Sequence, residues 1–495
     1  MSSIGVVEYY AHKSIFITGA SGFIGKILIE KLLRCCPDIK VIYLLLRKKK
    51  EQSPRERLNE ITNTRCFEKI KDRSVFSKLC VIPGDILEDD LGISAQDRSI
   101  LQKEVQIVFH SAASVRFDMN LRDAITSNVI GTKRVLELAE GIENLEVFVD
   151  ISTSFCHDEL KVVEEKVYPS LHRPQDIIDC VRWMSDEMLM KIQPELIKPY
   201  VNTYGYSKNL TEDVVSQYRG KFTIAIARPS IVVATYKEPM PGWVDNINGP
   251  TGVVYAGASG VLHSSYCKED TSMDFMPVDM VINGCILLAY ITGMERPKDI
   301  RVCNITDSGI TKVTWYEATN QMKEYVLQYP PSRVLYYPAG SPKKFLYQHK
   351  IAEFFFHILP AYFIDLLLFL FGQKTFMVRI EKRLRKGTEL LQYYTSRTWI
   401  FKNDYFRSLK NQINEKENEI FYTDLSKMDY IEFLKNYHLG VRKFIAKEDL
   451  STLPQARRHM KRLYYLHMSL KTLFYVLLAY ACCLFIKYFL ILKLK

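Results

Sequence analysis

The chain has 495 residues, 47% of them hydrophobic and 25% charged, with a formal net charge of +11. That length implies two or three folded units, and that balance excludes wholesale disorder. The positive charge calls for acidic partners (nucleic acid, anionic lipid or a phosphate-bearing cofactor), and the 11 Cys without C-x-x-C or Cys/His ligand spacing speak against a disulfide scaffold or metal site and for a reducing compartment.

The N-terminus runs Met1-Ser2-Ser3-Ile4-Gly5 into Glu8 and Tyr9, which is no secretory signal. Ser14 to Thr18 is predicted as a buried strand and Phe23 to Arg34 as an amphipathic helix. Between them lies Thr18-Gly19-Ala20-Ser21-Gly22-Phe23-Ile24-Gly25, with glycines at G-x-x-G-x-x-G spacing. Strand, glycine turn and helix in that order form a dinucleotide-binding turn. Gly19 permits the bend, Gly22 lets backbone approach a pyrophosphate, and Gly25 lets the helix pack close. Ser21, Phe23 and Ile24 complete the turn, and the helix N-terminus offers its amides and dipole to the phosphates. Val41 to Leu46 is the second strand, followed by Arg47-Lys48-Lys49-Lys50. An acidic residue there would bind a free ribose 2′-OH. A cation, Arg47 first, suits a 2′-phosphate, so the expected cofactor is NADPH.

Leu79 to Ile82 is the third strand, followed by Gly84-Asp85-Ile86, where Asp85 and neighbouring backbone at Ile86 can take the adenine amino group. Val105 to Phe109 is the fourth strand, Leu121 to Gly141 a long helix, and Glu146 to Ile151 the fifth strand, closed by Ser152-Thr153-Ser154. An insertion with helical character from Asp176 to Lys191 precedes Tyr204-Gly205-Tyr206-Ser207-Lys208. This is Y-x-x-x-K at the head of a helix expected over Ser207 to Tyr218. Residues i and i+4 share a helix face, so the Lys208 ammonium can lower the Tyr204 phenol's pKa and bind a nicotinamide ribose. Phe222 to Ala227 is the sixth strand. Near-continuous apolar strands alternating with helices give an α/β, doubly wound parallel sheet, a Rossmann fold.

Beyond Glu238 the chain is richer in Gly and Pro, as substrate-side loops are. The expected division is a dinucleotide-binding domain over 1–345, a smaller helical domain over 346–450 and a membrane segment over 473–492. Phe354 to Phe371 is very apolar but holds His357, Pro360 and Asp365, which are costly in lipid, so a core or interfacial segment is expected there. From Leu473 to Leu492 the only charge is Lys487, and 20 helical residues span roughly 30 Å, the thickness of a bilayer core. With Arg457, Arg458, Lys461 and Arg462 before it, this reads as a tail anchor. The enzyme body is then cytosolic, on a peroxisomal or endoplasmic reticulum membrane, with membrane lipid as a partner and no nucleic acid.

The glycine turn, His110-Ser111-Ala112-Ala113-Ser114, Asn128-Val129-Ile130-Gly131-Thr132 and Tyr204…Lys208 resemble an extended short-chain dehydrogenase/reductase. His110 through Asp118, Arg228-Pro229-Ser230, Gly242-Trp243-Val244-Asp245-Asn246 and the helical region after about residue 350 resemble the fatty acyl-CoA reductase family. The resemblance covers nearly the whole chain. It implies four-electron reduction of long-chain acyl-CoA to a primary alcohol with two NADPH. It implies Tyr204, Lys208 and a strand-end hydroxyl as catalytic residues, and Ala112 and Pro229 beside the cofactor. Family members often carry Ala and Tyr where Ser154 and Phe155 stand here, and position at the strand end points to Thr153. A nucleotide-sugar epimerase, a membrane-bound 3β-hydroxysteroid dehydrogenase-like enzyme and a non-catalytic NADPH-binding scaffold are the competing readings.

Overall fold

The computed structural model describes residues 4–48 and 52–493, with side chains described to Lys487. Lys49 and Lys50 of the expected cationic cluster lie outside the described residues. The strands are β1 (Ser14–Thr18), β2 (Val41–Leu46), β3 (Leu79–Pro83), β4 (Val105–His110), β5 (Val147–Ile151), β6 (Ile224–Pro229) and β7 (Arg301–Ile305). They form one parallel sheet in the order β7-β6-β5-β4-β1-β2-β3. The sheet is the doubly wound Rossmann form read from the sequence. The order reverses between β1 and β4, where Thr18 pairs with His110, so the loops beyond these strand ends diverge and open a crevice.

The seventh strand was not predicted. Its sequence carries Asn304 where a buried sheet would carry an aliphatic residue. Asn304 is fully buried, and its amide donates to the carbonyls of Val163 and Lys402 at 3.1 and 2.7 Å. Those bonds offset the cost of burying the amide nitrogen, while Oδ1 is buried with no hydrogen-bond partner among the described residues.

The helices bearing on function are α1 (Phe23–Cys35), α2 (Gly131–Glu140), α3 (Thr203–Ser216), α4 (Val278–Glu295), α5 (Leu359–Leu370), α6 (Met377–Thr395) and α7 (Leu453–Lys493). The long helix expected over 121–141 is interrupted by a π-helical segment, Ile125–Ile130. The expected helix over 176–191 is two, Pro174–Trp183 and Asp186–Leu196, because Ser185 caps the second by accepting from the Met188 amide. The α3 helix begins four residues earlier than expected, at Thr203, with the Asn202 side chain accepting from the Gly205 amide at 2.9 Å. Tyr204 therefore stands in its first turn.

The chain divides into two compact units that interleave along the sequence. The first takes residues up to Asp245, Ser272–Val313 and Arg397–Tyr437, and contains the whole sheet. The α4 helix is apolar on all sides and almost wholly buried there, so its length and composition are those of a core helix. The second unit takes Asn246–Thr271, Thr314–Ser396 and the chain from His438 onward. It holds α5, α6 and α7. Phe354–Phe371 is no core segment: Phe354, Phe355, Phe356, Phe363, Leu366, Phe369, Leu370 and Phe371 are each at least half exposed. The apolar stretch of α7 is exposed throughout its described side chains.

Candidate active site

The glycine turn lies at the end of β1. Gly19 has φ +73°, and a Cβ there would stand 2.6 to 2.8 Å from Ser111 Oγ, Ser111 C and the Ala112 amide. At Gly25 a Cβ would lie 2.4 Å from the Gly19 carbonyl. Only glycine lets β1, the loop after β4 and α1 approach this closely. Gly22 is the N-cap of α1 and supplies no side-chain cap, so the first turn of Phe23, Ile24 and Gly25 presents a bare positive helix end. Trp243 stacks on Phe23 with ring centroids 5.3 Å apart, and Asp245 pairs with Lys26 of α1 at 2.5 Å. The Gly242–Asp245 motif thus braces the dinucleotide turn.

A cation missed in the sequence completes this end of the sheet. Arg57 donates to Ser21 Oγ at 2.9 Å and to the Arg47 carbonyl at 2.6 Å. It sits on the helix Pro54–Thr62, whose start is fixed by a reciprocal capping box between Ser53 and Glu56. Burial and the charge of Arg47 lower its pKa from an already very high value, so it stays a cation. Arg47 is more than half exposed and lies 3.7 Å from Asp85. The capping box at 53–56 was the available signal, with Arg57 one residue beyond it. Ile86 packs against Gly131, where an added Cβ would meet it at 3.1 Å. A backbone cradle that a Cβ would fill, an uncapped helix end and two arginines fit a dinucleotide carrying several phosphates.

His110 is a bracket. Its ring nitrogens meet Thr18 Oγ1 at 2.7 Å and Thr132 Oγ1 at 2.9 Å, and burial with the nearby Lys208 charge pushes its pKa down to about 3. The imidazole is neutral. Asn128 lies in the π segment, and its side chain accepts from the Ser114 amide and donates to Ser114 O and Ser207 Oγ. It ties the loop after β4 to α3 and makes no bond to Lys208. Ala112 meets Thr18 Oγ1 through its amide at 3.3 Å, and Pro229 ends β6 in register with Ile305.

Lys208 is buried and donates to the Ile151 carbonyl, the last of β5, at 3.1 Å. The three hydroxyls after that carbonyl point to different partners. Ser152 donates to Glu212 at 2.5 Å, inside the protein. Ser154 Oγ is buried with no hydrogen-bond partner among the described residues. Thr153 shares a side-chain hydrogen bond with Tyr204. The Tyr204 phenol lies well above its ordinary pKa because burial raises it more than the Thr153 bond lowers it. The expected lowering by Lys208 is not among the causes that set it, and the phenol holds its proton at neutral pH. Phe117 lies against the Tyr204 ring, centroids 5.7 Å apart.

Beneath this row runs a buried charged network. Arg228 and Glu212 have no exposure, and Arg228 Nε donates to both Glu212 oxygens at 2.9 and 3.2 Å. Arg228 also donates to the carbonyls of Glu164 and Lys166, and Cys156 Sγ meets Glu212 at 3.1 Å. Burial alone would raise the Glu212 carboxyl, but Arg228 and His157 hold it well below its usual range. Asp150 is fully buried, with no hydrogen-bond partner for either oxygen among the described residues. Burial lifts its pKa to about 6 against the pull of Lys208. On the solvent side of the network, Arg397–Tyr437 closes over the loop after Thr153. Trp399 Nε1 donates to Asp158 O at 2.9 Å, Ile400–Phe401 pairs with Val162–Val163, and Glu165 accepts from the Tyr405 amide at 2.7 Å.

Comparison with known proteins agrees with this geometry. Two family profiles, both described as Male sterility protein, match residues 17–285, as an NAD-binding segment, and residues 356–448. The chain is 36% identical over 480 residues to Fatty acyl-CoA reductase 1 of Rattus norvegicus, covering 96% of this chain and 93% of the relative. It is 36% identical over 475 residues to Fatty acyl-CoA reductase 2 of Mus musculus, covering 96% and 92%. Among solved structures, the reductase domain of a nonribosomal peptide synthetase from Mycobacterium tuberculosis superposes with TM-score 0.61 at 16% identity, over 90% of this chain and 96% of that one. At that identity the likeness is one of fold.

Proposed function

The chain belongs to the fatty acyl-CoA reductase family and is a nicotinamide-dependent oxidoreductase, and on that footing we propose that it reduces long-chain fatty acyl-CoA to the primary alcohol with release of CoA. We assign NADPH rather than NADH, supported by Arg47 and Arg57 at the end of β2, where a 2′-phosphate would lie. The steroid dehydrogenase and scaffold readings have no observation in their favour.

The observation that carries the mechanism is Thr153 hydrogen-bonded to a Tyr204 that keeps its proton. NADPH, when bound, supplies the hydride of each two-electron step. Tyr204 and Thr153 hold the thioester carbonyl oxygen and stabilise the negative charge that develops on it. Tyr204 then gives that oxygen its proton, as a phenol with a raised pKa can. The resulting hemithioacetal returns its hydroxyl proton to the Tyr204 phenolate and collapses, its C–S bond breaks, and CoA leaves as a thiolate that takes up a proton from solvent. The aldehyde product presents a carbonyl to the same pair, and the second round yields the alcohol. Lys208, fixed on the Ile151 carbonyl, stands one helical turn from Tyr204. No cysteine nucleophile is required. Cys156 is turned to Glu212, and burial raises its thiol further.

We also read α7 as the membrane anchor, with the catalytic unit on the cytosolic face of a peroxisomal or endoplasmic reticulum membrane. The exposed apolar stretch and the free cysteines of the described residues support this reading. The test is purified full-length protein with acyl-CoA and NADPH, followed by lipid chromatography. Two NADPH consumed per alcohol is the expected result. A Tyr204→Phe enzyme that makes alcohol at the wild-type rate excludes the scheme.

A further inference from the structure

The second unit carries an exposed apolar hairpin. Its first arm is a π-helical turn, Phe354–Ile358, continued by α5, and its second arm is α6. Asp365, midway along α5, accepts from the amides of Phe376, Met377 and Val378 at 2.9 to 3.0 Å, which folds α6 back onto α5 and caps its first turn. Gly372 turns the chain between the arms with φ +68°.

The two arms carry different chemistry. Phe363, Leu366, Phe369 and Leu370 on α5 are exposed, the last two by 71% and 67%. An apolar surface of that kind on one helix is unusual for a water-facing element. On α6, Arg379, Lys382, Arg383 and Lys386 are all exposed and follow i, i+3, i+4, i+7 spacing, so they share one helix face. On the same helix Glu381 pairs with Arg385, and Glu389 with Lys350.

The hairpin and α7 are rooted in one side-chain stack. His357 Nε2 accepts from the His263 amide at 2.8 Å, the His263 ring lies 5.3 Å from that of Tyr336, and the Tyr336 hydroxyl meets His467 of α7 at 2.9 Å. His467 lies six residues before Leu473, about 9 Å along the helix axis from the apolar stretch. The exposed Arg457, Arg458, Lys461 and Arg462 stand on the same part of α7.

We propose that this hairpin is a second membrane contact: α5 lies in the headgroup–acyl boundary without crossing it, and the cationic face of α6 binds anionic phospholipid headgroups. The helix that carries the first arm runs over Leu346–Leu370, long and apolar enough to cross by length and composition. What holds it at the interface is polar: His357 and Asp365 are costly in lipid, and the Asp365 carboxylate is committed to the amides at the start of the cationic α6. An apolar arm beside a cationic one is the pattern of interfacial helices, and a cationic collar at an anchoring helix gives anionic lipid the same preference. The inference rests on α7 holding the chain at a membrane, and the test separates the two.

Full-length protein is reconstituted in vesicles of phosphatidylcholine, with or without phosphatidylserine, that carry an acyl-chain photo-crosslinker, and adducts are mapped by mass spectrometry. Adducts on peptides of 354–371, increased by phosphatidylserine, are expected. The quadruple variant R379E/K382E/R383E/K386E loses that increase, with adducts on 473–486 unchanged. An impermeant amine reagent added on the catalytic side modifies Lys374. Adducts on 473–486 with none on 354–371 overturn the hairpin and leave the anchor standing, whereas adducts on neither overturn both. Equal hairpin labelling with and without phosphatidylserine overturns the headgroup assignment, and protection of Lys374 in intact vesicles overturns the interfacial placement.

Discussion

Trp399 stands edge-on against Phe155, with ring centroids 5.4 Å apart and planes at 90°, although 243 residues separate them in the chain. Phe155 is two residues from Thr153, so a residue from the late part of the chain supports the hydroxyl proposed as catalytic. Trp399→Ala removes this ring contact and the bond to Asp158 O, and is expected to lower stability by about 1–3 kcal/mol. It should lower kcat while leaving NADPH affinity unchanged, because the dinucleotide turn lies at other strand ends. Urea unfolding and NADPH titration check this, and a variant with weakened NADPH binding and normal kcat contradicts it.

The three strand-end hydroxyls separate by hydrogen-bond partner. Thr153→Ala should reduce kcat by about 10²–10³-fold with little change in unfolding midpoint. Ser152→Ala leaves Glu212 one donor short and should cost about 1–3 kcal/mol of stability with a smaller effect on kcat. If Ser154→Ala proves the most damaging of the three, the assignment of Thr153 is wrong.

Cofactor choice is assigned to Arg47 and Arg57. Replacing Arg57 by Ala should lower kcat/KM for NADPH by roughly 10–100-fold, the worth of a charged hydrogen bond, and change that for NADH far less. Arg47→Ala should act in the same direction and more weakly, since its side chain is the more exposed. Parallel losses with both cofactors would mean that the arginines only hold the loop.

The Glu212–Arg228 pair is costly to break from one side. Glu212→Gln leaves a buried guanidinium without a counter-charge, a loss of about 3–5 kcal/mol. Arg228→Met together with Glu212→Leu should be less destabilising than the two single changes summed, which a double-mutant cycle reads directly. Because the folded Glu212 carboxyl lies below its unfolded pKa, its contribution is present above about pH 4 and fades as pH falls through the folded value.

Asp150 has the opposite sign. Its folded pKa, about 6, lies above the unfolded value of about 3.9, so the native state holds this proton more tightly. The stabilisation is complete below about pH 4 and is lost as pH rises through 6. Asp150→Asn should therefore exceed wild type in stability at about pH 8, by at most 2–3 kcal/mol, and lose that advantage near pH 4. Denaturation midpoints that differ equally at both pH values contradict the assignment.

Six of the seven sheet strands, the glycine turn and the Tyr204–Lys208 pair were legible because each depends on local chemistry: apolar runs, glycine spacing and helical periodicity. Asn304 hid β7, since its amide nitrogen finds its acceptors only in carbonyls far away in sequence. Arg57 was missed for a related reason. It lies seven residues beyond Lys50 in the sequence, and nothing in the local pattern says that Ser21 is its partner. The phenol's raised pKa was equally out of reach, because burial is a property of the packed site. The Lys208 ammonium was expected to dominate, but it is committed to Ile151. The division of Ser152, Thr153 and Ser154 among their partners depends on the path of the backbone just past β5, which three adjacent hydroxyls do not encode.

The interleaving of the two units has a consequence for biosynthesis. Arg397–Tyr437 supplies the strand pair and the aromatic support behind Thr153, so a ribosome that has made only the sheet has not yet made a finished catalytic unit. Domains generally fold as units during synthesis, from the N-terminus onward. Here the nascent sheet waits for a segment that emerges shortly before α7. Completion of the reductase and emergence of its apolar helix are thereby brought close together in time, which shortens the interval in which a finished enzyme with an exposed apolar helix is free in solution.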